Sequence, residues 1–359
     1  MPGELTTNDP QHIVHGWVTH QAAACRAMGS EIYGHLMGVA AADVLDGGPC
    51  WEVLRHKADD RFGNAIPLRF FGAVHRVALR GDAPELASKY PSCGGSGLVD
   101  VALSRAFLDV VAQHSSELIL QLEQGVQTNE VQRSTALMPA LVHISNTTHL
   151  PIRLIELGTS GGLNLRLDYF GYHGIDGQQA GDQQSPLLFS KQFQTPVPLN
   201  GPVAISERIG CDPFPIDPLS PAGYQLLKSF VWPDQIERVA RLDAAVAIAG
   251  RVPATVIPAA AIDVVRAKLA SAVPGVATVI MHSIVWQYVD FDERRAITEC
   301  IQSAGQSASE ASPIFWLTLE PQSSAAKFPH LTVRSWPGSG DVVRLAEAGF
   351  HGEFVRWLL

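Results

Sequence analysis

The sequence predicts an α/β protein, in which a Rossmann-like, mostly parallel sheet follows an N-terminal helical domain. Three observations predict this fold. Residues 11–150 carry apolar side chains every three or four positions and little strand-like alternation. From Ile152 onward, short β-rich runs alternate with segments of helix length, which is typical of a parallel sheet with crossover helices. At the junction, residues 152–164 have the pattern of a strand, a glycine turn and a helix start.

The first 150 residues are predicted to form a helical domain that covers the mouth of the α/β domain as a lid. Residues 21–44 and 104–124 have helical periodicity. Pro84, Pro91 and the Ser- and Gly-rich cluster 92–97 interrupt the chain between them. We therefore expect several helices here and no sheet.

The α/β domain is predicted to span residues 151–359. Strands are expected near 152–157, 203–211, 254–258, 277–284 and 313–319, with a late pair near 331–336 and 353–358. Helices are expected near 162–170, 234–249, 260–271 and 292–304. Asp234 is predicted to be the N-cap of the second of these helices. An insertion near 171–202 is too long for a plain connection and is predicted to hold a hairpin around 187–193.

Composition excludes several classes of function. The chain of 359 residues has a net charge of −9 and no basic cluster, which argues against nucleic acid as a partner. No apolar run reaches the roughly 20 residues of a membrane span, so no membrane role is expected. The five cysteines are far apart and the first ten residues do not resemble a secretory signal, which favours a cytoplasmic location. No His, Cys or carboxylate spacing suggests a metal site, and nothing in the sequence indicates the oligomeric state.

The glycine turn fits two incompatible templates. Glu156-x-Gly158-x-Ser160-x-Gly162 is the acidic strand end and glycine turn of a nucleotide-cofactor fold. Gly158-x-Ser160-x-Gly162 alone is also the nucleophile elbow of a serine hydrolase. A glycine turn that binds no ligand is the third interpretation.

The order of elements favours the cofactor template. A serine hydrolase reaches its nucleophile strand after several earlier strands, whereas this turn follows the first convincing strand. The hydrolase alternative would also need an acid and then a histidine after Ser160. Asp234 and Asp263 could supply the acid, and the candidate histidines are His282, His330 and His351.

Asp212 ends the second predicted strand of the α/β domain. In a doubly wound sheet, a carboxylate at this position accepts hydrogen bonds from the hydroxyls of a cofactor ribose. Because Pro213 follows, Asp212 could instead cap an ordinary turn.

The chain resembles a bacterial family of proteins, domain of unknown function 2332, over nearly its whole length. The segments that carry the resemblance are 25–33, 127–133, 156–164, 210–217, 232–235 and 282–288. This resemblance implies no activity of its own.

The α/β half in turn resembles class I methyltransferases that use S-adenosylmethionine, through the glycine turn and the order of elements. The resemblance implies a methyltransferase-like fold in which Asp212 meets the ribose. The cofactor loop would be shaped by Glu156, Gly158, Ser160, Gly162 and Asn164. Such enzymes usually carry an acidic residue after the third strand, whereas residues 256–261 contain none. A non-catalytic ligand-binding protein on the same scaffold is therefore kept as an alternative.

Four further residues are predicted to orient a small-molecule methyl acceptor. His282 follows a very apolar strand at the expected pocket edge, where it could act as a base, and Tyr288 with Trp286 could wall the substrate. In the alternative interpretation, a backbone carbonyl satisfies His282 and both aromatics belong to the core. Asn129 and Arg133 lie in a helix-like stretch, on the face that also carries apolar residues. On that side they need partners, which could be a ligand carboxylate or the α/β domain. The alternative is a surface Glu130–Arg133 pair with a helix cap.

Overall fold

The computed structural model describes residues 9–60, 64–323 and 326–359. The chain divides into two compact units. The helical unit comprises residues up to 128 together with 221–240, and the sheet unit comprises 129–220 and 241–359. This division differs from the predicted boundary at residue 150.

The α-helices are, in chain order, α1 (Pro10–Ala27), α2 (Glu31–Leu45), α3 (Pro49–Leu54), α4 (Ile66–Leu79), α5 (Pro84–Ala87), α6 (Val101–Gln113), α7 (Ser115–Gln121), α8 (Ser134–Thr148), α9 (Pro221–Ser229), α10 (Ile236–Ala249), α11 (Ala261–Leu269) and α12 (Phe291–Gly305). Two 3-10 helices, Leu163–Tyr169 and Trp286–Tyr288, follow strands near the candidate site. None of the helices among the described residues is long and apolar enough to cross a membrane.

The helical unit is built on buried aromatic side chains. Tyr33 and Phe71 meet edge to face with ring centroids 5.0 Å apart, and Phe71 stacks on Phe107 at 5.2 Å. The helical segment predicted at residues 21–44 forms parts of two helices, α1 and α2. The chain breaks between them because Gly29 has a φ of 81° and Ser30 caps the next helix.

The strands are β1 (Ile152–Leu157), β2 (Gly171–His173), β3 (Gln179–Gly181), β4 (Leu188–Phe189), β5 (Ile205–Asp212), β6 (Thr255–Pro258), β7 (Ala277–Ser283), β8 (Ile314–Glu320), β9 (His330–Trp336), β10 (Val343–Ala348) and β11 (Val355–Trp357). The main sheet has the order β11-β10-β9-β8-β7-β1-β5-β6. The five strands from β6 to β8 are parallel, and β9, β10 and β11 are antiparallel. The parallel part has the 3-2-1-4-5 order of a Rossmann sheet, so the predicted fold class is confirmed.

The two faces of the sheet carry different side chains, because residues alternate along each strand. Ile155, Ile209 and Ile280 pack on the face that is covered by α11 and α12. The register aligns Glu156 with Met281 and Gly210, and Gly210 with Val256, so the side chains of Glu156, Met281 and Val256 share the other face.

Helix α8 belongs to the sheet unit. It contacts β8, β10 and the 3-10 helix Leu163–Tyr169, and nearly all its residues from Ser134 to Ser145 are buried. Residues 129–150 therefore fold with the sheet. Helical periodicity identifies such a segment as a helix but does not reveal which core it joins.

Several predicted elements differ in detail. The segment 162–170 is a 3-10 helix, and α9 and β10 were not predicted. The insertion forms a three-stranded sheet of order β3-β2-β4 in place of a hairpin at 187–193. Its later part pairs with the last strand of the main sheet, since the Val355 N–H donates to the Gln192 carbonyl at 2.7 Å and the Gln194 N–H donates to the Val355 carbonyl at 2.8 Å.

The prediction that Asp234 caps α10 was wrong. Its carboxylate accepts hydrogen bonds from the Ser30 hydroxyl at 2.6 Å and from the Ile32 N–H at 3.0 Å. Ile32 lies in the first turn of α2, where N–H groups have no partner within the helix. Asp234 therefore caps a helix about 200 positions earlier in the chain, which local sequence spacing cannot reveal.

We expect the substitution Asp234→Ala to destabilise the helical unit by about 1–2 kcal/mol, because the first turn of α2 loses a capping acceptor. Urea denaturation followed by circular dichroism measures this change. Asp59→Ala, which removes an exposed carboxylate, is the matched control. Equal midpoints for the two variants would contradict the capping role.

Candidate functional site

The candidate site lies at the carboxyl ends of β1 and β7. From these two neighbouring strands, the sheet is extended towards opposite edges: β5 lies beside β1 on one side, and β8 lies beside β7 on the other. Ligands of doubly wound sheets bind at such a switch point, outside the carboxyl ends of the strands. Two turns meet here, residues 158–162 after β1 and residues 284–288 after β7.

The turn after β1 is closed by its own hydrogen bonds. Gly158, Ser160 and Gly162 have φ angles of 65°, 52° and 68°. The Thr159 N–H donates to the Cys211 carbonyl at 3.0 Å, and the Gly162 N–H donates to the Thr159 carbonyl at 2.8 Å. Gly158 is partly exposed and residues 159–162 are buried. Several amides that a phosphate or carboxylate ligand would use are therefore engaged within the protein.

Gly158 lets the two turns approach each other. A Cβ atom at this position would lie 2.6 Å from Cγ1 of Val285, which is closer than carbon atoms can pack. A glycine is needed here for this contact as well as for the positive φ. The close approach packs the turn after β7 against the turn after β1.

Asp212 joins the end of β5 to the glycine turn. One carboxylate oxygen accepts the Ser160 N–H at 3.0 Å, and the other accepts the Phe214 N–H at 2.9 Å. The turn-capping interpretation of Asp212 therefore describes its protein contacts. A carboxylate offers about four lone-pair sites, so two remain for the hydroxyls of a ligand.

The prediction that Asn129 lies in a helix was wrong, because residues 125–130 contain no helix and a 3-10 helix occupies only Val131–Arg133. The Asn129 side-chain oxygen accepts the Leu163 N–H at 2.9 Å. Asn164 donates from its amide nitrogen to the Glu130 carbonyl at 3.2 Å. The two predicted residues Asn129 and Asn164 thus attach the segment 129–130 to the start of the 3-10 helix.

Arg133 braces the turn after β7. Its guanidinium donates to the carbonyl of Ser283 at 3.2 Å and to the carbonyl of Phe350 at 3.0 Å, and the side chain is buried. These contacts position the backbone at the end of β7. A role in holding a methyl acceptor stays a prediction.

His282 forms a buried pair with Glu320, which ends the neighbouring strand β8. Nδ1 of His282 lies 2.8 Å from Oε1 of Glu320. Trp286 stacks on the imidazole with centroids 4.5 Å apart and an interplanar angle of 14°, and Trp316 lies on another side at 6.0 Å. Within the described residues, Nε2 of His282 and Oε2 of Glu320 are buried and have no hydrogen-bond partner.

The pairing with Glu320 selects one form of the neutral imidazole. A carboxylate oxygen accepts the Nδ1–H, so Nε2 carries the lone pair and can accept a proton. The same oxygen of Glu320 also accepts the N–H groups of Val285 at 2.9 Å and Trp286 at 3.2 Å. Glu320 therefore positions both the histidine and the turn that covers it. The arrangement can perform general acid–base chemistry.

The turn after β7 is strained. Ile284 has a φ of 53°, a left-handed conformation that a β-branched residue rarely adopts. Such strain is commonly found at functional sites. Tyr288, the other predicted acceptor-binding residue, ends this turn and is 42% exposed. It lies at the surface, whereas His282 is 2% exposed.

Glu156 is a buried carboxyl group on the opposite face from His282. It accepts a hydrogen bond from the Thr159 hydroxyl at 2.5 Å. Burial raises the pKa of Glu156 to about 7, and this rise is opposed by the Thr159 hydrogen bond and by the charges of Arg166 and Arg133. The carboxyl therefore titrates near neutral pH.

Glu320 was missed in the sequence. It follows the predicted strand 313–319 directly, and a carboxylate at the carboxyl end of the strand beside His282 was the available signal. Groups of three or more His, Cys, Asp or Glu residues that could hold a metal ion are absent from the part of the chain that the structure describes.

Comparison with known proteins gives a family. The model of a family described as "Uncharacterized protein conserved in bacteria (DUF2332)" matches residues 16–357. A search of curated proteins returned no match.

We expect Glu156→Gln to change how stability depends on pH. The folded protein holds the Glu156 pKa at about 7, against 4.5 for the ordinary group, so between these values the folded state binds the proton more tightly than the unfolded chain. This group's contribution to the free energy of unfolding is therefore fully present below pH 4.5 and is lost as the pH rises towards 7.

Glu156→Gln removes this titration. Between about pH 4.5 and 7, the variant should lose less stability than the original protein, by up to about 3 kcal/mol. Chemical denaturation at a series of pH values measures the difference. Glu310→Gln, at an exposed position, is the control, and parallel curves for all three proteins would contradict the raised pKa.

Proposed function

The chain belongs to the bacterial DUF2332 family, and we propose that it is a methyltransferase that transfers a methyl group from S-adenosylmethionine to a small molecule. One observation carries the proposal. A histidine oriented by a carboxylate, with its second nitrogen unpartnered and buried, stands at the carboxyl edge of a sheet in Rossmann order. That edge is where a cofactor and an acceptor would meet.

The residues at the ends of β1 and β5 fit the cofactor. Asp212 lies at the end of the second strand and keeps unused lone pairs for the two hydroxyls of a ribose. Gly158 is the partly exposed residue of the glycine turn. Because residues 159–162 are buried, their N–H groups would donate few hydrogen bonds to the cofactor. The turn would act mainly through the shape of its backbone.

The chemistry of this chain is the removal of a proton. When bound, S-adenosylmethionine supplies an electrophilic methyl group. His282 would accept the proton of a hydroxyl or amine acceptor at Nε2, and Glu320 would hold the imidazole in the required tautomer. Trp286 restricts the ring by stacking, and Tyr288 at the surface would contact the acceptor as it enters.

A second candidate, serine hydrolysis, is supported by one feature. Ser160 has the positive φ that a nucleophile elbow requires. The buried pair, however, follows the order Ser160, His282, Glu320, whereas α/β-hydrolases with a nucleophile elbow have the acid before the histidine. Labelling with a fluorophosphonate probe separates the two functions, since the methyltransferase would not react at Ser160.

We expect S-adenosylmethionine to bind the full-length protein in isothermal titration calorimetry. Asp212→Asn keeps one acceptor oxygen and should weaken binding about 10-fold or more, because the ribose loses a charge-assisted hydrogen bond. Glu207→Gln, on the same strand but away from its carboxyl end, is the control. The absence of binding to the original protein would contradict the proposed function.

The role of His282 can be tested without knowing the acceptor. We expect NMR correlation spectra of the imidazole to show the Nδ1–H tautomer, and we expect Glu320→Gln to allow both tautomers, because an amide can donate as well as accept. Glu310→Gln should leave the spectrum unchanged. An Nε2–H tautomer in the original protein would exclude His282 as the base.

A further inference from the structure

A second site is indicated on the other face of the sheet unit. A cavity of about 520 Å³ begins at Gly161 and extends between the loop after β5, the end of α10 and the start of β6. Its volume lies within the range of small-molecule sites. Val256, in its wall, shares the face of Glu156 and not that of His282. The cavity is therefore separate from the buried histidine pair.

Arg166 brings a buried positive charge to this cavity. The side chain is 6% exposed. Its Nε donates to the Val252 carbonyl at 2.9 Å, and one Nη donates to the Gly162 carbonyl at 2.6 Å. Since a guanidinium has five N–H donors, three remain. Among the residues that the structure describes, no carboxylate forms an ion pair with Arg166.

The local backbone holds Arg166 in this position. Its φ of −109° and ψ of 18° interrupt the 3-10 helix Leu163–Tyr169. A Cβ atom on Gly162 would lie 3.2 Å from the Arg166 Nη1 and 3.0 Å from the Val256 Cγ2. The missing side chain of Gly162 thus allows the guanidinium to lie against the glycine turn.

The remaining lining defines the ligand. Ile216, Pro218 and Val256 provide apolar surface. Arg251 and Asp217 lie at exposed positions of the lining, where their opposite charges offset each other. A buried guanidinium without an ion pair favours an anion. A second negative charge on the ligand would be opposed by the Glu156 carboxylate, which interacts electrostatically with Arg166.

We propose that this cavity binds a small amphipathic monoanion, a carboxylate whose apolar part packs on Ile216, Pro218 and Val256 and whose charge pairs with Arg166. The site does not depend on the proposed methyl transfer. Neither the glycine motif nor the family match assigns it.

The experiment uses three related probes in calorimetry with the full-length protein: 2-naphthylacetate, its neutral amide and 2-naphthylmethyl phosphate. We expect the carboxylate to bind about 10-fold to 100-fold more tightly than the amide, which is the factor for a hydrogen-bonded charge. It should also bind more tightly than the dianionic phosphate. Equal affinity of carboxylate and amide would overturn the proposal.

Substitutions locate the binding. Arg166→Gln should abolish the preference for the carboxylate, and Arg166→Lys, which keeps the charge if the glutamine variant does not fold, should retain part of it. Ala254→Phe should abolish binding by filling the cavity. Arg105→Gln, at an exposed arginine of the helical unit, is the control. Unchanged carboxylate affinity in Ala254→Phe would overturn the proposal.

The test of the anion site and the test of the proposed methyltransferase can fail independently. Binding of 2-naphthylacetate without binding of S-adenosylmethionine would retain this site and remove the methyltransferase. Binding of S-adenosylmethionine without binding of 2-naphthylacetate would overturn the anion site and leave the methyltransferase proposal intact.

Discussion

The arrangement of the candidate site depends on one carboxylate oxygen. Oε1 of Glu320 accepts hydrogen bonds from the His282 imidazole and from two consecutive backbone N–H groups, those of Val285 and Trp286. These bonds hold the strained Ile284 in place and keep the indole ring on the imidazole. Without this acceptor, the turn and the histidine would have no common support, because a strained φ persists only where surrounding contacts determine it.

The parts of the fold that depend on local pattern could be predicted from the sequence. Strands β1, β5, β6, β7 and β8 were found through short apolar runs, and their parallel arrangement followed from the helix-length segments between them. Strand β10 was missed, since its residues 343–348 alternate weakly and include two charged side chains, Arg344 and Glu347. The site was harder to predict, because its pairs join distant positions. Glu320 is 38 residues from His282, and Asp234 is 204 residues from Ser30.

The error at Asn129 has a physical explanation. Spacings of three and four between apolar residues also arise by chance in an irregular segment, and residues 130–133 are all buried instead of burying one face of a helix. Asn129 and Arg133 were correctly placed beside buried surface, but their partners are backbone groups of Leu163, Ser283 and Phe350. Polar side chains near a glycine turn can thus form hydrogen bonds with backbone groups as readily as with a ligand.

The pairing of residues 192–194 with β11 has a consequence for behaviour at high concentration. An uncovered border of a β-sheet can recruit strands from other molecules and start aggregation. Here the Gln192 and Gln194 backbone groups occupy hydrogen-bonding positions along Val355, and the opposite border is formed by β6, a strand of only four residues. The insertion that precedes β5 thereby shields the sheet from intermolecular growth, so its removal would favour self-association even though it lies away from the candidate site.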